Sequence, residues 1–517
     1  MKIGIDIGVT NTHAVLVSNQ GKLIAAAKQA TSSDMLTGLS DAVKHLFEKT
    51  RIPPGEVKGI FIGTTEFLKA FFEEKTMAKS ALVRIGRRPT KVLPALNWPS
   101  SLRSFLQEIF FLETGNRYNG VCQSTNNQEK LKSIFQNIET NSIEAVCIVG
   151  AYSPVYEAEE TQLKREIKKR FPFVPVTVSH QLGSIGFIER ENASLLNTLL
   201  SKLIREVFEN LNMCFSDLGL TCPLWFTQSN GTLMSVYEAM ELPVLTLASG
   251  VANSLRGASI LSGKKDILAV DVGGSMINIG KVRNGQLKEL TSSTSLLGID
   301  ASLEIPEFTS LPFGGGSLPS IQNGKLQLFS PKSGDIEKDG LAWGGTSWTV
   351  SDSFLKLYPD SFYDQNIDVS RLESLDHSEC QQVVRYVVGK IKDALAMLQE
   401  PEDEWPIVLV GGGSPLLNEQ LFGKYQQVLH PAGYPVSSAI GACFAPVSAV
   451  VDKVYWLNNR TKEEVIAEAV DTCKKAVLKK GANPDSIQVS YVKEYPFAYL
   501  SGEILRVKTK VTGELIL

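Results

Sequence analysis

"KIGIDIGVTNTHAVLV" (residues 2–17) opens the chain and decides how the rest is read. Two β-branched runs flank the segment Asp-Ile-Gly-Val-Thr-Asn-Thr. A hairpin closes with two to five residues, and this turn is richer in hydroxyls and amides than closure requires. A bound phosphate would use them. Backbone N–H groups beside Gly8 can approach an anion because no Cβ intervenes. Thr10 and Thr12 can donate to its oxygens, and Asp6 can hold Mg²⁺ directly or through water. A bare turn needs less: Asp6 as an Asx cap and Asn11 in left-handed geometry.

The pattern recurs. "DILAVDVGGSMINIGKVRNGQL" (266–287) is again strand, acid-plus-glycine turn, strand, with Asp271, Gly273, Gly274 and Ser275 in the turn. A third site, "PIVLVGGGSPLL" (406–417), runs from a strand into Gly411, Gly412 and Gly413, where a base and ribose could lie against backbone. Two acid-bearing turns on facing lobes could clasp a polyphosphate and its Mg²⁺, with Asp6 and Asp271 as metal ligands. Each motif alone is weak; the three together, in this order, point to a nucleotide such as ATP.

Between them, strand and helix signals alternate, which indicates α/β architecture. Helices are predicted over "MLTGLSDAVKHLFEKT" (35–50) and "IERENASLLNTLLSKLIREVFENL" (188–211), another starts at Glu66, and "VLTLASG" (244–250) reads as a strand. The tail from about 456 reads as one helix and two strands, a small appended unit.

Composition narrows the function. The formal net charge is −3 and no long basic run exists, so the electrostatic footprint of nucleic-acid binding is lacking. "KKAVLKKG" (474–481) reads as a solvated helix face. The five His are dispersed and no CxxC occurs, which argues against a His- or Cys-rich metal site. Scattered thiols fit a reducing, cytoplasmic setting. No basic, apolar leader opens the chain, and no run reads as a membrane span. No nucleic-acid or membrane partner is expected.

Several motifs together resemble the sugar-kinase/heat-shock-chaperone/actin ATPase superfamily and, within it, the hydantoinase/5-oxoprolinase A-type proteins. "GIDIGVTNTHAVLV" stands where that family has Gly-x-Asp-x-Gly-Gly-Thr-x-Thr-Asp, and "IGTT" (62–65) matches its His-Gly-Thr-Thr. "ENASLLNTLL" is similar to the start of its long helix, and "TQSNGTLMSVYEAMELPVLTLASG" to its Gln-Ser-(Asn/Asp)-Gly-Gly region. "FGGGS" (313–317), with Gly314, Gly315 and Gly316, resembles its Gly-Gly-Gly-Ser, and "WTVSD" (348–352) its Thr-Val-Thr-Asp.

The resemblance implies an α/β fold of two ribonuclease-H-like, actin-type lobes around a nucleotide cleft, plus a small α+β C-terminal unit. The expected limits are 1–185, 186–455 and 456–517. It further implies ATP-dependent opening of a cyclic amide by phosphorylation of the lactam oxygen, with a B-type subunit as partner and an oligomeric assembly. Asp6, Asp271, Thr64 and Thr65 become the catalytic candidates, and the glycine turns the nucleotide site. The alternative is a nucleotide-binding switch or scaffold without ring-opening activity. The chain departs from the family pattern at the second turn, where Met276, Ile277 and Asn278 replace Ser-Thr-Asp-like residues, and at the first, where Val9 and His13 replace Gly and Asp. An amide at 278 cannot hold a cation as a carboxylate does. Gln228, Ser229 and Asn230 follow a strand, where α/β sites gather, and Asp352 reads as a helix cap or a site residue.

Overall fold

The structure is a computed structural model that describes residues 1–8, 11–31, 35–64, 77–86, 92–113, 115–116, 122–123, 128–183, 185–289, 294–296, 298–331, 336–361, 366–400, 404–423, 427–497 and 504–517. Thr10, Thr65 and the helix expected from Glu66 lie outside them.

The opening hairpin is β1 (Lys2–Ile7) and β2 (Asn11–Val17), and β3 (Leu23–Ala30) completes an antiparallel meander. β4 (Gly59–Thr64) then lies parallel to β1, and β5 (Leu224–Thr227) parallel to β4. The second lobe repeats this order. β7 (Ile267–Val272), β8 (Ile277–Arg283) and β9 (Phe308–Leu311) are antiparallel, while β10 (Ile407–Val410) and β11 (Val428–Leu429) run parallel to β7. Each lobe therefore has the 3-2-1-4-5 strand order of a ribonuclease-H-like fold. The parallel strands β4 (GIFIGT) and β10 (IVLV) are buried throughout, as sheets covered on both faces require.

The first sheet extends further. β6 (Leu233–Ser235), β12 (Val447–Trp456), β14 (Ile504–Gly513) and β13 (Gln488–Pro496) continue it beyond β5, giving nine strands. The tail is thus an α+β unit joined edge-on to the first lobe, its helix Lys462–Lys479 packed on the sheet through Val465, Ala469, Cys473 and Val477. A separate parallel sheet, built from Ser80–Ile85, Leu106–Leu112, Ala145–Gly150 and Val176–Val178, has its own core.

Alternation along β1 places the site. Ile3, Ile5 and Ile7 enter one core with α1 (Met35–Thr50) and α2 (Phe187–Asp217). Gly4 and Asp6 face the other way, toward the space between the lobes. Two helices fill that space: α3 (Ser249–Ser262), with Leu255 and Ala258 against the second sheet, and α5 (Ser437–Cys443), with Ala439 and Ile440 against the first. A Cβ on Gly257 would sit 1.9 Å from the Ser437 carbonyl oxygen, and one on Gly441 1.9 Å from that of Asn253. Only glycine permits this crossing. Gly441→Ala should destabilise the protein by about 1–3 kcal/mol or more, as overpacking does. Urea unfolding checks this, and an unchanged midpoint would contradict it.

Two expectations are corrected. "VLTLASG" is not a strand: Pro243–Thr246 is a 3₁₀ turn and Ser249 already begins α3. A short buried apolar run has no periodicity to separate strand from helix. The same stretch, Pro243–Ser262, is apolar and long enough to cross a membrane by length and composition, contrary to the expectation that no run approaches a span. In the fold it is the buried helix between the lobes.

Candidate functional site

The two turns are built alike. Gly8 N–H donates to the Asn11 carbonyl at 3.1 Å and Gly273 N–H to that of Met276 at 3.0 Å. A Cβ on either glycine would lie 2.9 Å from that carbonyl. The register pairs Asp6 with His13 and Asp271 with Asn278. A serine from one of the crossed helices works against the raised pKa of each acid, Ser438 for Asp6 and Ser254 for Asp271. Ser254 and Ser437 hydroxyls are 3.3 Å apart, which closes the arrangement across the helix pair.

Asp6 lies at the cleft floor. The residue is partly exposed, but its Oδ1 is shut off from solvent and has no hydrogen-bond partner among the described residues. Burial pushes its pKa up to about 7, Ser438 works against the shift, and the negative charge of Asp271 adds to it. Burial also raises Asp271. Two desolvated carboxylates within electrostatic reach of each other, one with an orphaned oxygen, form a cation-seeking pair. Among the described residues no group of three or more His, Cys, Asp or Glu could hold a metal. An ion here would take its other ligands from phosphate and water, the habit of Mg²⁺.

The second turn offers donors. Gly274 and Ser275 are exposed at its tip, and their N–H groups have no acceptor among the described residues. Gly411, at φ 86, is pinned by its N–H to the Tyr434 carbonyl, and Gly413 donates to that of Val272. Gly412 faces open space. Across the mouth, Lys28 on β3 pairs with Glu337 of the second lobe at 3.0 Å. His13 is kept neutral: burial and then Lys28 lower its pKa to about 4.

Other expected residues are placed differently. Thr12 is fully buried under the turn, its hydroxyl 3.2 Å from that of Thr31, which in turn donates to the Gly8 carbonyl at 2.8 Å. Its expected role as a phosphate donor is corrected: it braces the turn from below. Gly314, Gly315 and Gly316 likewise do not present free N–H groups. They donate to Ser317 Oγ and to the carbonyls of Gly273 and Gly274, so the loop buttresses the second turn. Thr64 is buried at the end of β4, where its backbone exchanges two hydrogen bonds with Ser249 Oγ. Asp352 is a helix cap, accepting from the backbone of Thr349, Leu341 and Ala342. Asn278 accepts from Ser310. Sequence reasoning missed Ser254 and Ser438, since a serine inside an apolar helix carries no pattern of its own.

A cavity of about 630 Å³ lies elsewhere, between the start of α2 and the extended part of the first sheet, and shares no lining residue with either turn. Gln228 and Asn230 line it.

Comparison with known proteins places this geometry. Residues 190–450 match the hydantoinase/oxoprolinase model, and residues 2–171 that of the hydantoinase/oxoprolinase N-terminal region. The chain belongs to the hydantoinase/oxoprolinase family. It is 21% identical over 379 residues to caprolactamase subunit alpha of Pseudomonas jessenii, covering 69% of this chain and 54% of that protein. It is 22% identical over 329 residues to the acetophenone carboxylase gamma subunit of Aromatoleum aromaticum, covering 56% and 43%. The chain thus spans about half the length of these curated relatives. Its fold is that of the ATP-dependent caprolactamase from Pseudomonas jessenii (TM-score 0.78, 16% identity, 99% of this chain and 87% of that one). It is also that of nucleotide-free acetone carboxylase (TM-score 0.72, 16% identity, 100% and 88%).

Proposed function

We propose that this hydantoinase/oxoprolinase chain is the ATP-binding, A-type component of an ATP-dependent cyclic-amide hydrolase. The observation that carries the reading is the pair Asp6 and Asp271, partly exposed residues with desolvated carboxyl groups and an orphaned oxygen on Asp6, between two turns of matching backbone geometry. Asp6 and Asp271 would hold Mg²⁺, the N–H groups of Gly274 and Ser275 would receive phosphate oxygens, and Gly412 leaves room for the sugar. Bound ATP would supply a phosphoryl group to the lactam oxygen, making the ring carbon imidate-like; water adds there, the ring C–N bond breaks with nitrogen leaving as the amine, and a second water hydrolyses the resulting acyl phosphate to carboxylate and phosphate. This chain's part is to orient the phosphates, neutralise their charge and restrain the lobes. Relatives named as ATP-dependent, and as subunits, support the reading and a B-type partner. The reading carries with it a cytoplasmic, oligomeric protein.

One observation favours the second reading, a nucleotide-binding switch or scaffold. Asn278 stands where the family pattern has an acid, and Ser310 already engages its side-chain oxygen. Phosphate release in the presence of ATP, with and without 5-oxoproline or hydantoin, separates the two. We expect little turnover from the chain alone and lactam-dependent release once a B-type subunit is added. Nucleotide binding without lactam-dependent release, even with the partner, would leave the switch.

A further inference from the structure

The 630 Å³ cavity carries chemistry that the nucleotide cleft does not use. One wall holds a fixed histidine. Glu160 is wholly buried and accepts four hydrogen bonds: from Gly150 N–H at 2.6 Å, Ser179 Oγ at 2.6 Å, His180 N–H at 3.0 Å and His180 Nδ1 at 2.6 Å. Burial opposes its ionisation, but the bonds from His180, Ser179 and Gly150 outweigh it and hold the carboxyl below its ordinary value. A carboxylate only accepts. The His180 ring therefore carries a proton on Nδ1, and Nε2 is the ring nitrogen left for the cavity that the residue lines. The exposed carboxylate of Glu157 is 4.0 Å from Nε2, so it does not hydrogen-bond it.

Among the described residues, the acidic and basic side chains lining the cavity are ion-paired except for one of each sign. Arg506 pairs with Asp452 at 2.7 Å, Lys480 with Glu238 at 2.6 Å, and Lys508 with Glu304 at 2.6 Å, while Glu289 pairs with Lys510. Among the described residues Lys493 is in no ion pair; its Nζ sits 4.7 Å from the centre of the Tyr491 ring. Burial and then the neighbouring Lys508 hold its pKa down, while the charges of Glu289 and Glu304 work against the shift. Glu189, in the first turn of α2, lines the cavity and is in no ion pair among the described residues, although its charge acts on the neighbouring Arg190. Polar groups that converge on a concave, half-open site define what fits there.

We propose that this cavity is a second small-molecule site and that its ligand is an amino acid, held by its carboxylate at Lys493 and by its amino group at His180 Nε2 and Glu189. Glu160 acts through His180 by fixing the tautomer, as a positioning residue. The proposal goes beyond the nucleotide reading and does not depend on it: nothing in the ligand is a phosphate.

The test is calorimetric titration of the full chain, without nucleotide, against the common α-amino acids and linear ω-amino acids. Butyrate and butylamine serve as probes that lack one pole. We expect at least one amino acid to bind, and the single-pole probes to bind about tenfold more weakly or not at all. Lys493→Met and His180→Gln should each weaken binding about tenfold or more. Lys493 is half-exposed, so its variant should melt as the wild type does and keeps the test interpretable should His180→Gln fold poorly. No binding by any amino acid, equal binding by Lys493→Met, or butyrate binding as tightly as 4-aminobutyrate would each overturn the proposal. Loss of ATP binding elsewhere would leave it standing.

Discussion

Asp6→Asn is expected to weaken Mg²⁺–ATP binding about a hundredfold, while raising the stability of the ligand-free protein at neutral pH. Asparagine keeps the shape and an acceptor for Ser438 but carries no charge. With it gone, a cation in the cleft keeps only Asp271. The effect on stability follows from the shifted pKa. In the folded chain Asp6 titrates at about 7, against an ordinary value of 3.8. Between these values the native state holds a proton that the unfolded chain has released, so stability falls as pH rises through that window. Asp6→Asn removes that decline. Urea unfolding across the window, without nucleotide or divalent cation, checks the slope, and calorimetry checks the binding. Parallel pH profiles for the two proteins would mean that Asp6 is not desolvated as described.

The second large effect is expected at Gly411. Its φ of 86 is in the left-handed region, and an added Cβ would meet Asp271 Oδ1 at 2.3 Å and the Val272 carbonyl at 2.6 Å. The carbonyl is backbone and cannot yield cheaply. Gly411→Ala should therefore cost about 2–5 kcal/mol of stability, the left-handed strain and the overpacking together. It should also displace the Asp271 carboxylate and lower nucleotide affinity about tenfold or more. Gly412→Ala is the control: nothing lies within 4 Å of its Cβ position, and its stability should change by less than about 0.5 kcal/mol. If both variants behave alike, Gly411 does not constrain Asp271.

Much of the architecture is legible before any coordinates. The repeated strand–acid–glycine–strand pattern at Asp6 and Asp271 marks the duplicated lobes, because turn chemistry and β-branched runs are local signals. α1 matches its predicted limits, residues 35–50. What escapes is set by the third dimension. Thr12 reads as a cleft hydroxyl, but strand alternation turns it with Ala14 and Leu16 toward the core under the turn. Gly314–Gly316 read as a nucleotide loop, yet Ser317 Oγ takes the donor of Gly314, and backbone carbonyls some forty positions earlier take those of Gly315 and Gly316. The limits expected at 185 and 455 are breaks in sequence style. The first sheet nevertheless takes strands from both sides of them, at Leu224–Thr227, Leu233–Ser235, Gln488–Pro496 and Ile504–Gly513. The Glu160–His180 pair is twenty positions apart in sequence, and no spacing rule joins them.

The central claim is that the cleft between the two acid-bearing turns holds a nucleotide. Calorimetric titration of the full chain with ATP, in Mg²⁺ and again in EDTA, tests it most directly. Binding is expected to be saturable, to depend on Mg²⁺ and to be about a hundredfold weaker in Asp6→Asn. No heat with the wild type, or binding that neither EDTA nor Asp6→Asn reduces, would contradict it.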